Sequence, residues 1–231
     1  MLDRRSILKM VTGGIALTLI PSSQLLAQTS GKRLVMVFDV RRCTGCMSCT
    51  VSCAIENQTD AGRNRTRVSQ ASIEQDDGFA TLAVPLQCNH CSNPVCVEVC
   101  PADATYKREE DGIVVIDYDK CIHCQRCVAA CPYGARQKDT HYKKPPEKCN
   151  FCIHRVSEGL LPTCVETCIG EARNFGDLND PNSTVSQLIK NNDVYAMLAS
   201  EGTQPNIFYI GLPEQTNDKE TLSINFLDWQ R

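Results

Sequence analysis

The sequence predicts an α+β chain of short strands and helices, rich in loops, built as two pseudo-symmetric modules and a C-terminal extension. Three observations predict it. All sixteen cysteines of the 231 residues fall into four groups of four. The run after the fourth cysteine repeats, as C-P-A-D-A-T from Cys100, C-P-Y-G-A-R from Cys131 and C-I-G-E-A-R from Cys168, and repetition of this kind marks a duplicated module. Apolar residues make up 42% and aromatics 6% of the chain. That is a thin side-chain core for this length, so much of the interior must be something the cysteines hold.

The pattern is organised around residues 88–132. Cys88, Cys91, Cys96 and Cys100, followed by Pro101, give C-x2-C-x4-C-x3-C-P; Cys121, Cys124, Cys127 and Cys131, followed by Pro132, give C-x2-C-x2-C-x3-C-P. The second run is the bacterial ferredoxin signature, in which three close thiolates hold one iron–sulfide cubane and the fourth reaches across to the partner cluster. Two facing runs describe one two-cluster module, residues 88–136. By the crossing rule Cys121, Cys124 and Cys127 share a cluster with Cys100, while Cys88, Cys91 and Cys96 share one with Cys131. A proline after the fourth cysteine turns the chain away once the ligand is placed.

The remaining cysteines form a like module from residues 34–56 and 149–176. Group one is Cys43, Cys46, Cys49 and Cys53, with Ala54 in place of the proline, so the exit runs on as a short helix through Ile55 and Glu56. Group four is Cys149, Cys152, Cys164 and Cys168, with eleven residues between its second and third members. The crossing rule then joins Cys43, Cys46 and Cys49 to Cys168, and Cys149, Cys152 and Cys164 to Cys53. Sixteen thiolates suit four [4Fe-4S] clusters with none left over, and such a protein should depend on its metal to fold.

Two other uses of cysteine compete. Disulfide frameworks belong to short secreted chains with irregular spacings, whereas spacings of two, two and three recur here. A zinc knuckle needs two C-x2-C pairs and has no use for a third cysteine two residues on.

Residues 1–27 have the form of an export signal: Arg4 and Arg5, then Ile7, Leu8 and Lys9, an apolar run over residues 10–20, and a small-residue approach to Ala27. The apolar run is too short to span a bilayer. The paired arginines resemble the twin-arginine signal, which carries proteins already folded around a cofactor. Asp3 and Ile7 depart from its commonest form, and an ordinary secretory leader or an uncleaved anchor is the alternative. Without these residues the chain keeps 21 basic and 26 acidic side chains, a net charge of −5. Each oxidised cubane with four thiolates adds about −2, and nothing in that balance invites nucleic acid.

Further along, residues 34–40 are an apolar run that fits a strand entering group one. Residues 57–87 form an insertion, with strands over 68–73 and 79–84 turning at Asp76-Asp77-Gly78. Residues 113–116 make a short strand that delivers Cys121, and the polar stretch 137–148 links the modules. In the extension, residues 177–231, Asp180-Pro181-Asn182-Ser183 reads as a helix start, and Val185, Leu188 and Ile189 give a short apolar face. Residues 195–198 and 207–210 read as strands, and the tail closes on Phe226, Leu227 and Trp229. The extension either packs over the cluster modules or embraces a partner subunit.

The whole arrangement resembles the four-cluster electron-transfer subunits of the molybdopterin oxidoreductases, and within them the tetrathionate reductase iron–sulfur subunit. The stretches that carry the resemblance are residues 41–59, 88–100, 110–115, 148–173 and 202–212, nearly the whole cysteine-bearing chain. The resemblance implies an export-dependent complex at the outer face of the cytoplasmic membrane. In it a membrane subunit oxidises quinol, this chain relays single electrons, and a molybdopterin subunit reduces the substrate; tetrathionate, thiosulfate, polysulfide or a nitrite-linked reaction would leave this chain the same role, and a free polyferredoxin that shuttles electrons by diffusion is the alternative. The residues agree that the chain is a relay, since they offer no Ser-His-Asp set, no phosphate-cradling glycine loop and no open metal site.

Arg42, Lys120 and Lys148 directly precede first ligands. A positive charge beside an anionic cubane favours its reduced form, so these three are candidates for raising cluster potentials; plain solvated charge is the alternative. His90, His123 and His154 lie in or beside the ligand groups. With sixteen cysteines already matching four cubanes, packing or hydrogen bonding suits them better than ligation.

Overall fold

The computed structural model describes residues 17–19, 31–75, 78–141 and 143–212. The arginine pair, Phe226, Leu227 and Trp229 lie outside the described residues, as do Asp76 and Asp77 of the turn. In chain order the strands are β1 (Leu17–Leu19), β2 (Leu34–Asp39), β3 (Thr66–Gln75), β4 (Gly78–Gln87), β5 (Thr105–Lys107), β6 (Val114–Ile116), β7 (Arg173–Asp177), β8 (Val194–Met197) and β9 (Ile207–Ile210). The helices are α1 (Ser48–Glu56), α2 (Val95–Glu98), α3 (Arg126–Ala129), α4 (Ile153–Val156), α5 (Thr163–Glu166) and α6 (Thr184–Asn191). None of the described helices is long and apolar enough to cross a membrane.

Each stretch between successive cysteine groups doubles back on itself as an antiparallel pair. β3 and β4 join groups one and two, β5 and β6 join groups two and three, and a bridge between Gln137 and Glu147 joins groups three and four. β2 and β7 close the ring by pairing the strand before group one with the strand after group four, Phe38 opposite Arg173. A closed ring brings the first and last groups together although 95 residues, from 54 to 148, lie between them in the chain.

The β3–β4 hairpin is longer than the alternating segments predict. Its polar ends are held from inside: the Thr66 hydroxyl donates to the Leu86 carbonyl at 3.2 Å. The buried Arg173 guanidinium donates to Gln87 Oε1 at 2.9 Å and to Thr66 Oγ1 at 3.0 Å. Hydrophobic alternation cannot register that anchorage.

β2 belongs to a five-stranded sheet of order β1-β8-β9-β2-β7, in which β2 and β9 run parallel and the other pairs antiparallel. The extension therefore contributes to the same sheet as the strand that enters group one. β1, from the stretch with the form of an export signal, pairs with β8, the strand that would otherwise end the sheet. Side chains alternate across a strand, so the sheet divides two cores. Met36, Phe38, Tyr195, Met197, Ile207 and Tyr209 face a core that includes Cys49, Cys88, Cys149 and Cys164. Val35, Val37, Val194, Ala196, Phe208 and Ile210 face the other, which contains no cysteine and is covered by Val185 and Ile189 of α6.

α6 starts as its sequence predicts. Ser183 is its N-cap, its hydroxyl accepting from the Ser186 N–H at 3.2 Å and satisfying one of the donors left open at a helix start. Val185 and Ile189, four residues apart, lie on one face of the helix and are both fully buried. Truncating Ile189→Ala should cost about 2–5 kcal/mol of stability, read as a lower denaturant midpoint. Iron bound per chain should stay unchanged, because the cysteine-bearing core lies across the sheet.

Candidate metal centres

The four cysteine groups share one local geometry. The residue before the second cysteine is left-handed in each: Gly45 (φ 69°), His90 (43°), His123 (59°) and Phe151 (55°). Three of these carry a Cβ, at about 1–2 kcal/mol each, and such strain persists where the surroundings over-determine it. The third cysteine is always the second residue of a helix, as in Ser48-Cys49, Val95-Cys96, Arg126-Cys127 and Thr163-Cys164. Three residues past the fourth cysteine the chain is left-handed again, at Asp103 (48°), Gly134 (54°) and Glu171 (50°). That turn brings a backbone amide back onto sulfur: Thr105 N–H donates to Cys100 Sγ at 3.4 Å, and Ala172 N–H to Cys168 Sγ at 3.2 Å.

Group one departs from this, because α1 runs on to Glu56. The Asn57 side chain at its end stands in for the missing turn, with Nδ2 3.6 Å from Cys53 Sγ and 3.8 Å from Cys152 Sγ. Arg65 holds that amide by donating to Asn57 Oδ1 at 2.7 Å and is itself paired with Glu147 at 2.7 Å. Gly170 in the exit from group four lies so close to the start of group one that a Cβ there would overlap the Arg42 carbonyl oxygen.

Three cavities are each lined by four thiols. Cys53, Cys149, Cys152 and Cys164 surround one, together with Asn57, Arg65, Thr66 and Gln87. Cys100, Cys121, Cys124 and Cys127 surround the second, with Thr105 and Gln125. Cys88, Cys91, Cys96 and Cys131 surround the third, with Val114 and Arg136. In every case three thiols come from one group and the fourth from another. Of the last four, Cys43 has Cys49 and Cys168 as electrostatic neighbours, and Cys46 is exposed. All sixteen are free thiols. Among the described residues no three His, Cys, Asp or Glu side chains converge as a single ion would require.

Burial pushes the Cys53 and Cys91 thiols up to about 12 and Cys164 up to about 11. Such thiols keep their protons at neutral pH until a metal displaces them, so loading the sites must release protons. The residues fit an iron–sulfur cubane: the donors are soft thiols grouped around cavities rather than points. The cavity walls also carry buried polar atoms with no hydrogen-bond partner, Nη2 of Arg136 and both amide heteroatoms of Gln125.

The three basic residues that precede first ligands have different surroundings. Arg42 is half exposed and donates to Glu171 Oε2 at 2.6 Å and to the Gly170 carbonyl at 2.9 Å. Lys120 is two-thirds exposed and pairs with Asp117 at 3.5 Å. Lys148 is 2% exposed, and its ammonium donates to the Val114 carbonyl and to the Cys149 carbonyl at 2.7 Å.

Two further cations are buried with no carboxylate paired to them among the described residues, and neither is among the three predicted tuning residues. Arg136 and Arg173 are each 3% exposed. Burial works against both charges, and ionised thiolates of Cys96, Cys127 and Cys88 around Arg136, and of Cys164, Cys49 and Cys168 around Arg173, would more than offset it. A signal was present: both stand five residues past a fourth cysteine, where the first repeat has Thr105. Asn57 and Arg65 gave none. His90 is buried, stacked on Phe151 at 3.8 Å, and its Nδ1 accepts from Val114 N–H at 3.2 Å; His154 meets Glu56 at 2.8 Å.

Known proteins agree with this chemistry. Residues 79–178 match the family model of a 4Fe-4S dicluster domain, and residues 42–58 that of a 4Fe-4S binding domain. The chain is 48% identical to a tetrathionate reductase subunit of Salmonella typhimurium over 79% of its own length and 74% of that protein's. It is 40% identical to a selenate reductase subunit of Mesobacillus selenatarsenatis over 76% and 71% of the two chains. An Hdr-like menaquinol oxidoreductase iron–sulfur subunit of Archaeoglobus fulgidus matches at 32% over 92% and 99%. The chain belongs to the family of iron–sulfur electron-transfer subunits of the molybdopterin oxidoreductases.

Proposed function

We propose that this chain holds four [4Fe-4S] clusters and relays electrons from a quinol-oxidising membrane subunit to a molybdopterin catalytic subunit that reduces tetrathionate. Clusters of this kind each take up and release one electron. The cluster ligands are Cys43, Cys46, Cys49 and Cys168; Cys53, Cys149, Cys152 and Cys164; Cys88, Cys91, Cys96 and Cys131; and Cys100, Cys121, Cys124 and Cys127. Residues 34–56 with 149–176 form one two-cluster module and residues 88–136 its pseudo-symmetric counterpart. Residues 57–87 are the hairpin insertion, 137–148 the linker, and 177–231 the extension that meets a partner. Residues 1–27 direct export of the folded protein by the twin-arginine route to the outer face of the cytoplasmic membrane.

The observation that carries this reading is the membership of the three cavities, each walled by three thiols of one group and one of another. A cubane holds its four cysteine sulfurs apart at its corners, which suits a ring of thiols around a cavity; a zinc ion would draw them to about 2.3 Å from one point. The chain's part is to exclude water, hold the thiols in register and direct N–H donors such as Thr105, Ala172 and Asn57 at sulfur, which tunes potential. The two exposed thiols also support a relay. Cys46 belongs to the set of Cys43 and Cys124 to the set of Cys100, so two sites reach the surface. Exposed Ile169 and Met47 lie beside the first and exposed Ile122 beside the second, apolar surface of the kind partner subunits cover. Substrate reduction falls to the partner, and tetrathionate is favoured over the other acceptors by the 48% identity to a tetrathionate reductase subunit.

Anaerobically purified protein should contain about sixteen irons and as many acid-labile sulfides per chain, with a brown absorption that dithionite bleaches. Unfolded without reductant and alkylated, it should take up sixteen labels; fewer would mean disulfides. The crossing has its own test in Cys131→Ser, read by electron paramagnetic resonance. The variant should lose or alter the cluster of Cys88, Cys91 and Cys96 and leave that of Cys121, Cys124 and Cys127 intact, and the reverse result would overturn the assignment.

A further inference from the structure

Arg173, Lys148 and Arg136 are buried to within 3% of full enclosure, and among the described residues none of them pairs with a carboxylate. A buried charge needs a counter-charge, and the groups around these three belong in each case to two neighbouring thiol sets. Arg173 follows Ala172, whose N–H donates to Cys168 Sγ of the Cys43 set. Its guanidinium donates to Gln87 and Thr66, which line the Cys53 cavity. Lys148 donates to the carbonyl of Cys149, in the Cys53 set, and to that of Val114, which lines the Cys88 cavity. Arg136 lines the Cys88 cavity, and its Nη1 lies 3.4 Å from Thr105 Oγ1 on the wall of the Cys100 cavity.

We propose that these three cations are shared tuning residues, one in each gap between successive clusters, each raising the reduction potentials of both of its neighbours. The proposal rests on the four-cluster reading above. The physical case is electrostatic. An added electron makes a cluster more anionic and repels the electron on the next one, and a fixed positive charge between them favours the reduced form of either. In a buried setting that attraction is weakly screened. Arg136 offers an unpartnered Nη2 N–H as well, a donor that an anionic cluster can satisfy. Exposed, carboxylate-paired Arg42 and Lys120 have neither property.

The test is redox titration, followed by electron paramagnetic resonance, of full-length loaded protein carrying Arg173→Gln, Lys148→Gln or Arg136→Gln, with iron per chain measured alongside. Each substitution should weaken reduction of two clusters by about tenfold, or 59 mV for one electron. The affected pairs should overlap in sequence: the Cys43 and Cys53 sets, then Cys53 and Cys88, then Cys88 and Cys100. Lys190→Gln, on the far side of the sheet, should move none. A shift confined to one cluster, or spread evenly over all four, with iron unchanged would overturn the proposal. Should a glutamine variant lose iron, Arg173→Lys, Lys148→Arg and Arg136→Lys decide the matter: they keep the charge, so unchanged potentials support it and a tenfold fall at either neighbour overturns it. Wild-type protein with fewer than four clusters would instead sink the four-cluster reading, which is a separate result.

Discussion

A charge buried away from water must be answered by another, and the interior of this protein is arranged around that constraint. Lys148, Arg136 and Arg173 lie among thiols rather than carboxylates. Neutral thiols cannot compensate three buried cations, and disulfides would compensate them still less. The fold therefore makes electrostatic sense when the sulfur sets carry negative charge, as iron-bound thiolates do. Metal and structure are coupled in both directions: burial keeps Cys53, Cys91 and Cys164 protonated until metal binds, and the cations stay unanswered until the thiols ionise.

Bringing sixteen thiols together with short elements requires that the chain return to the same place repeatedly. The ring of antiparallel pairs does this, since each connection between groups ends close to where it began. The first three returns are local, joining groups adjacent in sequence. The last is not, and it depends on β2, buried on both faces between two cores. α6, β8 and β9 supply the second core and hold β2 from behind, so the extension supports the first and fourth groups whatever else it touches.

The thiols that line the three cavities are legible in the sequence because iron–sulfur binding favours close spacing: three thiols must reach one small object, and short loops between them allow it. The elements next to them are legible for local reasons too, in the apolar run of residues 34–40, the helix start at residues 180–183 and the apolar run at 207–210. The extra length at the open end of the β3–β4 hairpin is not, because Thr66 and Gln87 there are anchored by Arg173 from across the molecule. Asn57 and Arg65 were hidden for the same reason, one reaching Cys152 and the other Glu147 through space.

The three basic residues beside first ligands show where the division falls. In sequence Arg42, Lys120 and Lys148 are equivalent. In the folded chain Arg42 and Lys120 meet carboxylates at the surface, while Lys148 is enclosed between two sets of thiols. Reading the residues alone yields the cysteines, their runs of close spacing and the short elements beside them, because these depend mostly on residues within a few positions of one another. Which distant thiol completes each cavity and which charges lie inside follow from packing, since burial and the separation between charges exist only in the folded chain, and electrostatic energy depends on both.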